Sequence, residues 1–103
     1  MKKVKITVLK KDFYEDLVNE YGNKNLSKCS RFEIGQTFII TDCRQPESFC
    51  NEGWASIRHY VFALSNGADG FWDLKNHISI NTCNDGFRPV VFKIETLEDE
   101  IAK

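Results

Sequence analysis

The chain has 103 residues, of which 42% are hydrophobic and 13% aromatic, with 14 Lys plus Arg against 15 Asp plus Glu. A chain of this length can bury one hydrophobic core, so we expect a single domain over residues 1–103. The net charge of -1 gives no general field for attracting phosphate backbones, so nucleic acid is excluded as an expected partner.

The N-terminal residues and the four cysteines indicate a compartment. Lys2, Lys3 and Lys5 alternate with apolar residues instead of preceding an apolar run, which is not the pattern of a signal peptide. No apolar segment approaches the ~18 residues that a membrane span needs. We therefore expect a cytoplasmic protein without a membrane partner, in which most of the thiols stay reduced.

The first half of the chain contains two strand patterns and one helix pattern. Residues 3–9 alternate apolar and polar side chains, which predicts a first strand. Asp12 and Glu15 resemble a capping box before the apolar stripe of Phe13, Leu17 and Tyr21, so a short helix is expected over about 13–21. The apolar run 32–41 predicts a second strand, central in the sheet and covered on both faces.

The strongest helical pattern lies in the second half of the chain. Trp54, Ile57, Val61 and Leu64 recur at a spacing of three and four, which predicts a helix over about 51–66. A short extended piece is expected at 71–74 and a strand at 78–83. Together these elements predict an α+β fold with a mainly antiparallel sheet of four or five strands, the long helix packed across it and the short helix near the N-terminus.

The C-terminal stretch predicts a β-hairpin. Residues 84–86 are typical of a three-residue hairpin loop with Gly86 in the left-handed bulge position. The resulting register pairs Ile80 with Val90 on the core face of the sheet and leaves Cys83 on the opposite face.

Three cysteines, Cys29, Cys50 and Cys83, are candidate ligands for a soft metal ion or an iron–sulfur cluster. Thiolates suit such metals, and three of them leave one coordination position open. However, a seven-residue second strand would separate Cys29 from Cys50 by about 23 Å at the ~3.3 Å rise of a strand, unless the loop after it folds back. The alternative is that these thiols are packed as small hydrophobic side chains.

Cys50 and Cys83 are also candidates for a reactive, catalytic thiol. Cys50 lies at the predicted start of the longest helix, where free backbone N–H groups favour a thiolate, and Cys83 adjoins a turn and an arginine. The alternative places Cys50 under Trp54 as a buried side chain and Cys83 at the hairpin end.

Arg88, Asp85 and Trp54 are the candidate ligand-binding residues. Arg88 can bind a carboxylate ligand or pair with an acidic neighbour. Asp85 suits the turn without any further chemistry, and Trp54 is either a core side chain or part of a stacking pocket. His59 and His77 are expected at the surface.

These residues resemble a family of small uncharacterised proteins of bacteria and archaea. The elements that carry the resemblance are strand 4–9, Cys29 with 35–38, Phe49-Cys50 with Trp54-Ala55, and the ending Cys83, Asp85-Gly86, Arg88-Pro89-Val90 and Phe92. The resemblance implies that Cys29, Cys50 and Cys83 are motif cysteines and that Cys43 is not. It implies no reaction.

The function expected from the sequence is a cysteine-based site that binds a soft metal or a small ligand. The alternative is a non-catalytic binding or accessory domain with structural cysteines. The chain contains no phosphate-binding glycine loop, no dinucleotide fingerprint and no serine-hydrolase elbow, which disfavours nucleotide-dependent and serine-hydrolase chemistry. Whether the protein is an enzyme is left open by the sequence.

Overall fold

The computed structural model describes residues 1–97. In chain order it contains strand β1 (Val4–Lys11), helix α1 (Glu15–Tyr21), strand β2 (Thr37–Ile40), helix α2 (Asn51–Ser65), a short 3-10 helix (Phe71–Asp73), strand β3 (Ile78–Thr82) and strand β4 (Val90–Thr96). The α+β class is confirmed, with one four-stranded antiparallel sheet and two α-helices in a single domain. None of the helices in residues 1–97 combines the length and apolar character that crossing a membrane requires.

The sheet has the strand order β2, β1, β4, β3, so the first and last strands form its centre. β1 pairs with β4 from Val4 opposite Thr96 to Lys11 opposite Val90. The prediction that the second strand is central is wrong, because β2 lies at an edge and only its last residue, Ile40, is buried. The apolar run was misleading because Phe32, which is buried, reaches the core from the loop before β2.

The core joins one face of the sheet to α2. In β1 the alternating residues Val4, Ile6 and Val8 are buried, as the period of two predicts. The predicted apolar face of α2 is likewise confirmed, since Trp54, Ile57, Val61 and Leu64 are all buried. These side chains form one cluster with Phe32, Ile40, Phe49, Val90, Phe92 and Ile94.

Helix α1 is shorter and more exposed than predicted. It begins at Glu15 without a side-chain cap, and Leu17 and Tyr21 of the expected apolar stripe are 39% and 76% exposed. Among the described helices and strands, none packs against α1, and Val18 is its one buried residue. The segment before α1 is held beside residues 87–89, because the Asp12 N–H donates to the Pro89 carbonyl at 2.9 Å and the Tyr14 N–H donates to the Phe87 carbonyl at 2.8 Å.

The segment expected to be extended at 71–74 contains the 3-10 helix instead. Gly70 enters it in a left-handed conformation with φ 84°, which only glycine adopts freely. Asp69 accepts the backbone N–H groups of Gly70 and His77, which closes this segment into a compact loop. This loop geometry overrides the strand propensity of Phe71 and Trp72.

The β3–β4 register differs from the predicted one by three residues. Ile80 lies opposite Lys93 instead of Val90, and Gly86 is not among the left-handed glycines of the described chain. Because side chains alternate along a strand, an odd shift reverses the faces, so Ser79 is buried and Cys83 moves to the core side with Val90.

Asp85 explains the different register. Its carboxylate accepts hydrogen bonds from the backbone N–H groups of Phe87 at 2.9 Å and of Arg88 at 3.1 Å. The turn therefore lies later in the chain than the predicted three-residue loop at 84–86. The connection between Thr82 and Val90 is therefore wide, and this width leaves room for a site at the end of the sheet.

Candidate functional site

Cys29, Cys50 and Cys83 line one pocket of about 380 Å³. Three segments form it, namely the loop at 29–32, the first turn of α2 and the β3–β4 connection with the start of β4. Its remaining lining residues are Ser30, Arg31, Phe32, Glu52, Gly53, Asn84, Asp85, Arg88 and Val90. The structure thus brings the three candidate cysteines to one place, together with Asp85 and Arg88.

Contacts between aromatic rings bring Cys50 to the loop that carries Cys29. Phe49, the residue before Cys50, packs edge-on against Phe32 with ring centroids 5.0 Å apart. Phe38 of β2 packs against Phe49 at 4.8 Å, so the loop after β2 returns towards the loop before it. β2 is also only four residues long, which removes the separation that a seven-residue strand would impose.

Cys29 is fixed by its backbone and through its sulfur. The Lys11 ammonium donates hydrogen bonds to the carbonyl oxygens of Cys29 at 2.9 Å and Phe32 at 2.8 Å. The backbone N–H of Arg31 donates to Cys29 Sγ at 3.4 Å. Backbone donors directed at cysteine sulfurs also surround metal-bound thiolates, whose properties they tune.

Cys83 has a similar arrangement at the end of the sheet. Its backbone N–H donates to the Val90 carbonyl at 3.1 Å, and the Val90 N–H donates to Cys83 Sγ at 3.3 Å. Cys50 is the N-cap residue of α2 and makes no side-chain capping hydrogen bond. Its sulfur is therefore not used to satisfy the backbone donors of the first helical turn.

Asp85 and Arg88 bind each other at the pocket. Arg88 Nε donates to Asp85 Oδ2 at 3.1 Å, and Arg88 also donates to the Ser27 carbonyl at 3.4 Å. Arg88 thus pairs with an acidic neighbour, which was the alternative to binding a carboxylate ligand. Its hydrogen bond to Ser27 also connects the β3–β4 connection to the segment before Cys29. Burial raises the pKa of the Asp85 carboxyl. Hydrogen bonds from Phe87 and Arg88, together with the Arg88 charge, lower this pKa by a larger amount, so it lies below the ordinary value.

Trp54 and Cys43 lie outside the pocket lining. Trp54 is buried and packs against Phe49 with ring centroids 5.9 Å apart, which is the arrangement of a core side chain. Cys43 is half-buried, and this burial raises the pKa of its thiol despite the opposing charge of Arg58.

The two histidines also lie away from the pocket. The His59 ring lies beside Tyr60 on α2, with ring centroids 4.2 Å apart. The Nδ1 atom of His77 is 2.9 Å from the Ala68 carbonyl oxygen. Neither residue adds a nitrogen ligand to the three thiols.

Three thiols are suitable ligands for a soft metal ion, but their side chains are not arranged around a common metal position. Within residues 1–97, no three His, Cys, Asp or Glu side chains are placed to hold a metal ion as they stand. Convergence of the three sulfurs on one ion therefore requires rotation between staggered rotamers about the Cα–Cβ bonds. Soft metals prefer such sulfur ligands over carboxylates.

Gly53 and Lys11 are site residues that sequence reasoning missed. A Cβ atom at Gly53 would lie 3.4 Å from the Phe49 ring and 3.8 Å from Cys50 Cβ, so alanine fits there sterically. Glycine in a helix costs up to about 1 kcal/mol relative to alanine, so its presence in the first turn of α2 was the available sequence signal. Nothing in the sequence pattern distinguishes Lys11 from the other lysines.

Comparison of the chain with protein-family models, with curated proteins and with solved structures finds no match. The chemistry of the pocket is accordingly inferred from its own groups. These are three thiols, an arginine paired with an aspartate, and a space bordered by a glycine.

Proposed function

We propose that the protein binds a soft metal ion through Cys29, Cys50 and Cys83. The observation that carries this proposal is that three cysteines from three separate segments line one pocket. The same three cysteines are those that the resemblance to the small-protein family selects, while Cys43 lies elsewhere.

The chemistry of the pocket supports a soft ion rather than a hard one. Thiolates favour Zn²⁺, Cu(I) and iron–sulfur clusters, whereas Mg²⁺ and Ca²⁺ require oxygen ligands. The N–H groups directed at Cys29 Sγ and Cys83 Sγ stabilise negative charge on sulfur, as in the outer shell of a metal centre. Because the thiols must lose protons to bind, affinity should rise with pH.

The size of the pocket supports an open coordination position. Its volume of about 380 Å³ is larger than an enclosed ion needs and falls at the lower end of the ~300–1,000 Å³ range of small-ligand sites. A three-cysteine centre leaves one position for an exogenous ligand. In this proposal α2 packs across the sheet and presents Cys50 to the pocket, and the protein acts in the cytoplasm, where thiols remain reduced.

Titration with Cd²⁺ under anaerobic, reducing conditions tests the proposal. We expect one ion per chain and the ultraviolet charge-transfer absorption of cadmium–thiolate bonds. Cys29→Ala, Cys50→Ala and Cys83→Ala should each weaken binding by at least the ~10-fold to 100-fold that loss of an outer-shell partner costs. Cys43→Ala is the matched control and should bind normally. Absence of binding, or equal weakening by Cys43→Ala, overturns the proposal.

A single ion and an iron–sulfur cluster are distinguished by composition. Anaerobically purified protein should be analysed for iron, zinc, copper and acid-labile sulfide. Sulfide together with iron identifies a cluster, whereas one metal equivalent without sulfide identifies a mononuclear centre.

The second candidate function is a non-catalytic binding or accessory domain with structural cysteines. It is favoured by one observation, namely that Cys29, Cys43, Cys50 and Cys83 are all half-buried and pack against the core cluster. Under this alternative the protein takes up no soft metal, and all four thiols react slowly with an alkylating agent in the folded state.

A further inference from the structure

We infer that Lys11 is a positioning residue that holds Cys29 at the metal pocket. This inference rests on the proposed metal site and assigns a role to a side chain that does not line the pocket. Lys11 acts through the backbone of the 29–32 loop, not by contact with the ion.

The contacts of Lys11 span the whole loop. One ammonium donates to the Cys29 carbonyl at 2.9 Å and to the Phe32 carbonyl at 2.8 Å, so both ends of the loop are tied to one atom. Lysine provides three N–H donors on a compact charge, which suits two converging carbonyl oxygens. The geometry of the Cys29 backbone, and hence the direction of its sulfur, depends on this atom.

The position of Lys11 in the sheet explains why it can bring Cys29 to Cys83. Lys11 ends β1 and lies opposite Val90, the first residue of β4. Val90 in turn donates its backbone N–H to Cys83 Sγ. The end of the β1–β4 pair thus holds Cys83 directly on one side and, through Lys11, the Cys29 loop on the other.

The Lys11 ammonium is directed at carbonyl groups and not at a carboxylate. No ion pair of Lys11 occurs within the part of the chain that the structure describes. Removal of the ammonium leaves two half-buried carbonyl oxygens without this donor.

The fold should survive this removal because Phe32 anchors the loop independently. The Phe32 ring is buried and packs against Phe49 and Phe92 at centroid distances of 5.0 and 5.3 Å. Lys11→Met keeps the apolar stem of the side chain and deletes only the donor. Lys10→Met is the matched control, since Lys10 is 62% exposed and contacts Asp12 at 3.5 Å.

The test is a double-mutant cycle between Lys11 and Cys29 with Cd²⁺ as the probe. We expect Lys11→Met to weaken Cd²⁺ binding about 10-fold, the lower end of the cost of losing an outer-shell partner, and to reduce the charge-transfer absorption. Lys10→Met should change neither, and Lys11→Met should have no further effect in a Cys29→Ala background. Full affinity and absorption in Lys11→Met, or equal weakening in the Cys29→Ala background, overturns the inference.

A measurement without metal separates the inference from the proposed function. In metal-free protein, Lys11→Met should raise the alkylation rate of Cys29, measured by mass spectrometry, several-fold relative to Lys10→Met, with Cys43 unchanged. If wild-type protein binds no Cd²⁺, the proposed function fails, and the alkylation result still decides whether Lys11 holds Cys29. An unchanged Cys29 rate refutes that role.

Discussion

Cys83 and Val90 are joined by two hydrogen bonds, one of which uses the cysteine sulfur in place of a backbone carbonyl. The Cys83 N–H donates to the Val90 carbonyl at 3.1 Å, and the Val90 N–H donates to Cys83 Sγ at 3.3 Å. In a regular antiparallel pair the second acceptor would be the Cys83 carbonyl. The ladder therefore ends on a thiol, which directs the sulfur to the pocket at the end of the sheet.

Substitution of Cys83 should destabilise the fold in a way that depends on the acceptor. Val90 is fully buried, so Cys83→Ala leaves its N–H without this acceptor and should cost about 1–2 kcal/mol of unfolding free energy. Cys83→Ser supplies a hydroxyl oxygen and should cost less. Urea denaturation measures both, and an alanine variant as stable as the wild type would show that the N–H···S bond contributes nothing.

Gly53→Ala should stabilise the protein while weakening metal binding. Alanine fits sterically beside Phe49 and Cys50 and favours the helix by up to about 1 kcal/mol, but its methyl group occupies space at the pocket that Gly53 and Cys50 both line. The comparison variant is Ala55→Gly, on the exposed side of α2, which should destabilise the helix without affecting Cd²⁺. Unchanged Cd²⁺ affinity in Gly53→Ala would contradict a role for this space.

Asp85 should contribute to stability in a defined pH range. Its pKa is lowered in the folded state, so the contribution is fully present above the ordinary carboxyl value of ~3.9 and is lost as the pH falls through the folded-state pKa. We expect Asp85→Asn to be less stable than the wild type at pH 7, by about 1 kcal/mol for the weakened hydrogen bonds. The difference should shrink below about pH 4. Urea titrations at several pH values measure it, and a difference independent of pH would show that the charge is irrelevant.

The four thiols should differ in reactivity. Burial raises the pKa of Cys43, so less of its thiolate is present at neutral pH and its alkylation should be slow, increasing only at more alkaline pH. Cys50 or Cys83, at the pocket, should react faster than Cys43 at pH 7. Peptide mapping after timed iodoacetamide treatment measures the rates. Equal rates at all four positions in the folded protein would exclude a selectively reactive thiol.

Local periodicity was enough to predict the main buried elements. The buried faces of β1 and α2 were predicted correctly from the alternation of Val4, Ile6 and Val8 and from the helical spacing of Trp54 and Ile57. Each pattern indicates which side chains of its own element are buried. Leu17 failed as a core residue because no other helix or strand within residues 1–97 packs against α1, and a helical stripe carries no information about a partner.

The candidate site was predictable as a set of residues but not as a geometry. Cys29, Cys50 and Cys83 could be selected from the sequence, but their meeting depends on the packing of Phe49 against Phe32, a contact between distant segments. The prediction for the face of Cys83 was wrong because the hydrogen bonds of Asp85 place the turn later in the chain and shift the β3–β4 register. The turn preferences of the individual residues do not specify this shift.

The pairing of β1 with β4 has a consequence for the order in which the protein folds. These strands form the centre of the sheet although almost the whole described chain separates them, so their contact requires closure of a very long loop. During synthesis, β1 lacks its principal partner until β4 has been made. The pocket can therefore be complete only after β4 has been synthesised, since Lys11 and Val90 become neighbours when the two central strands pair.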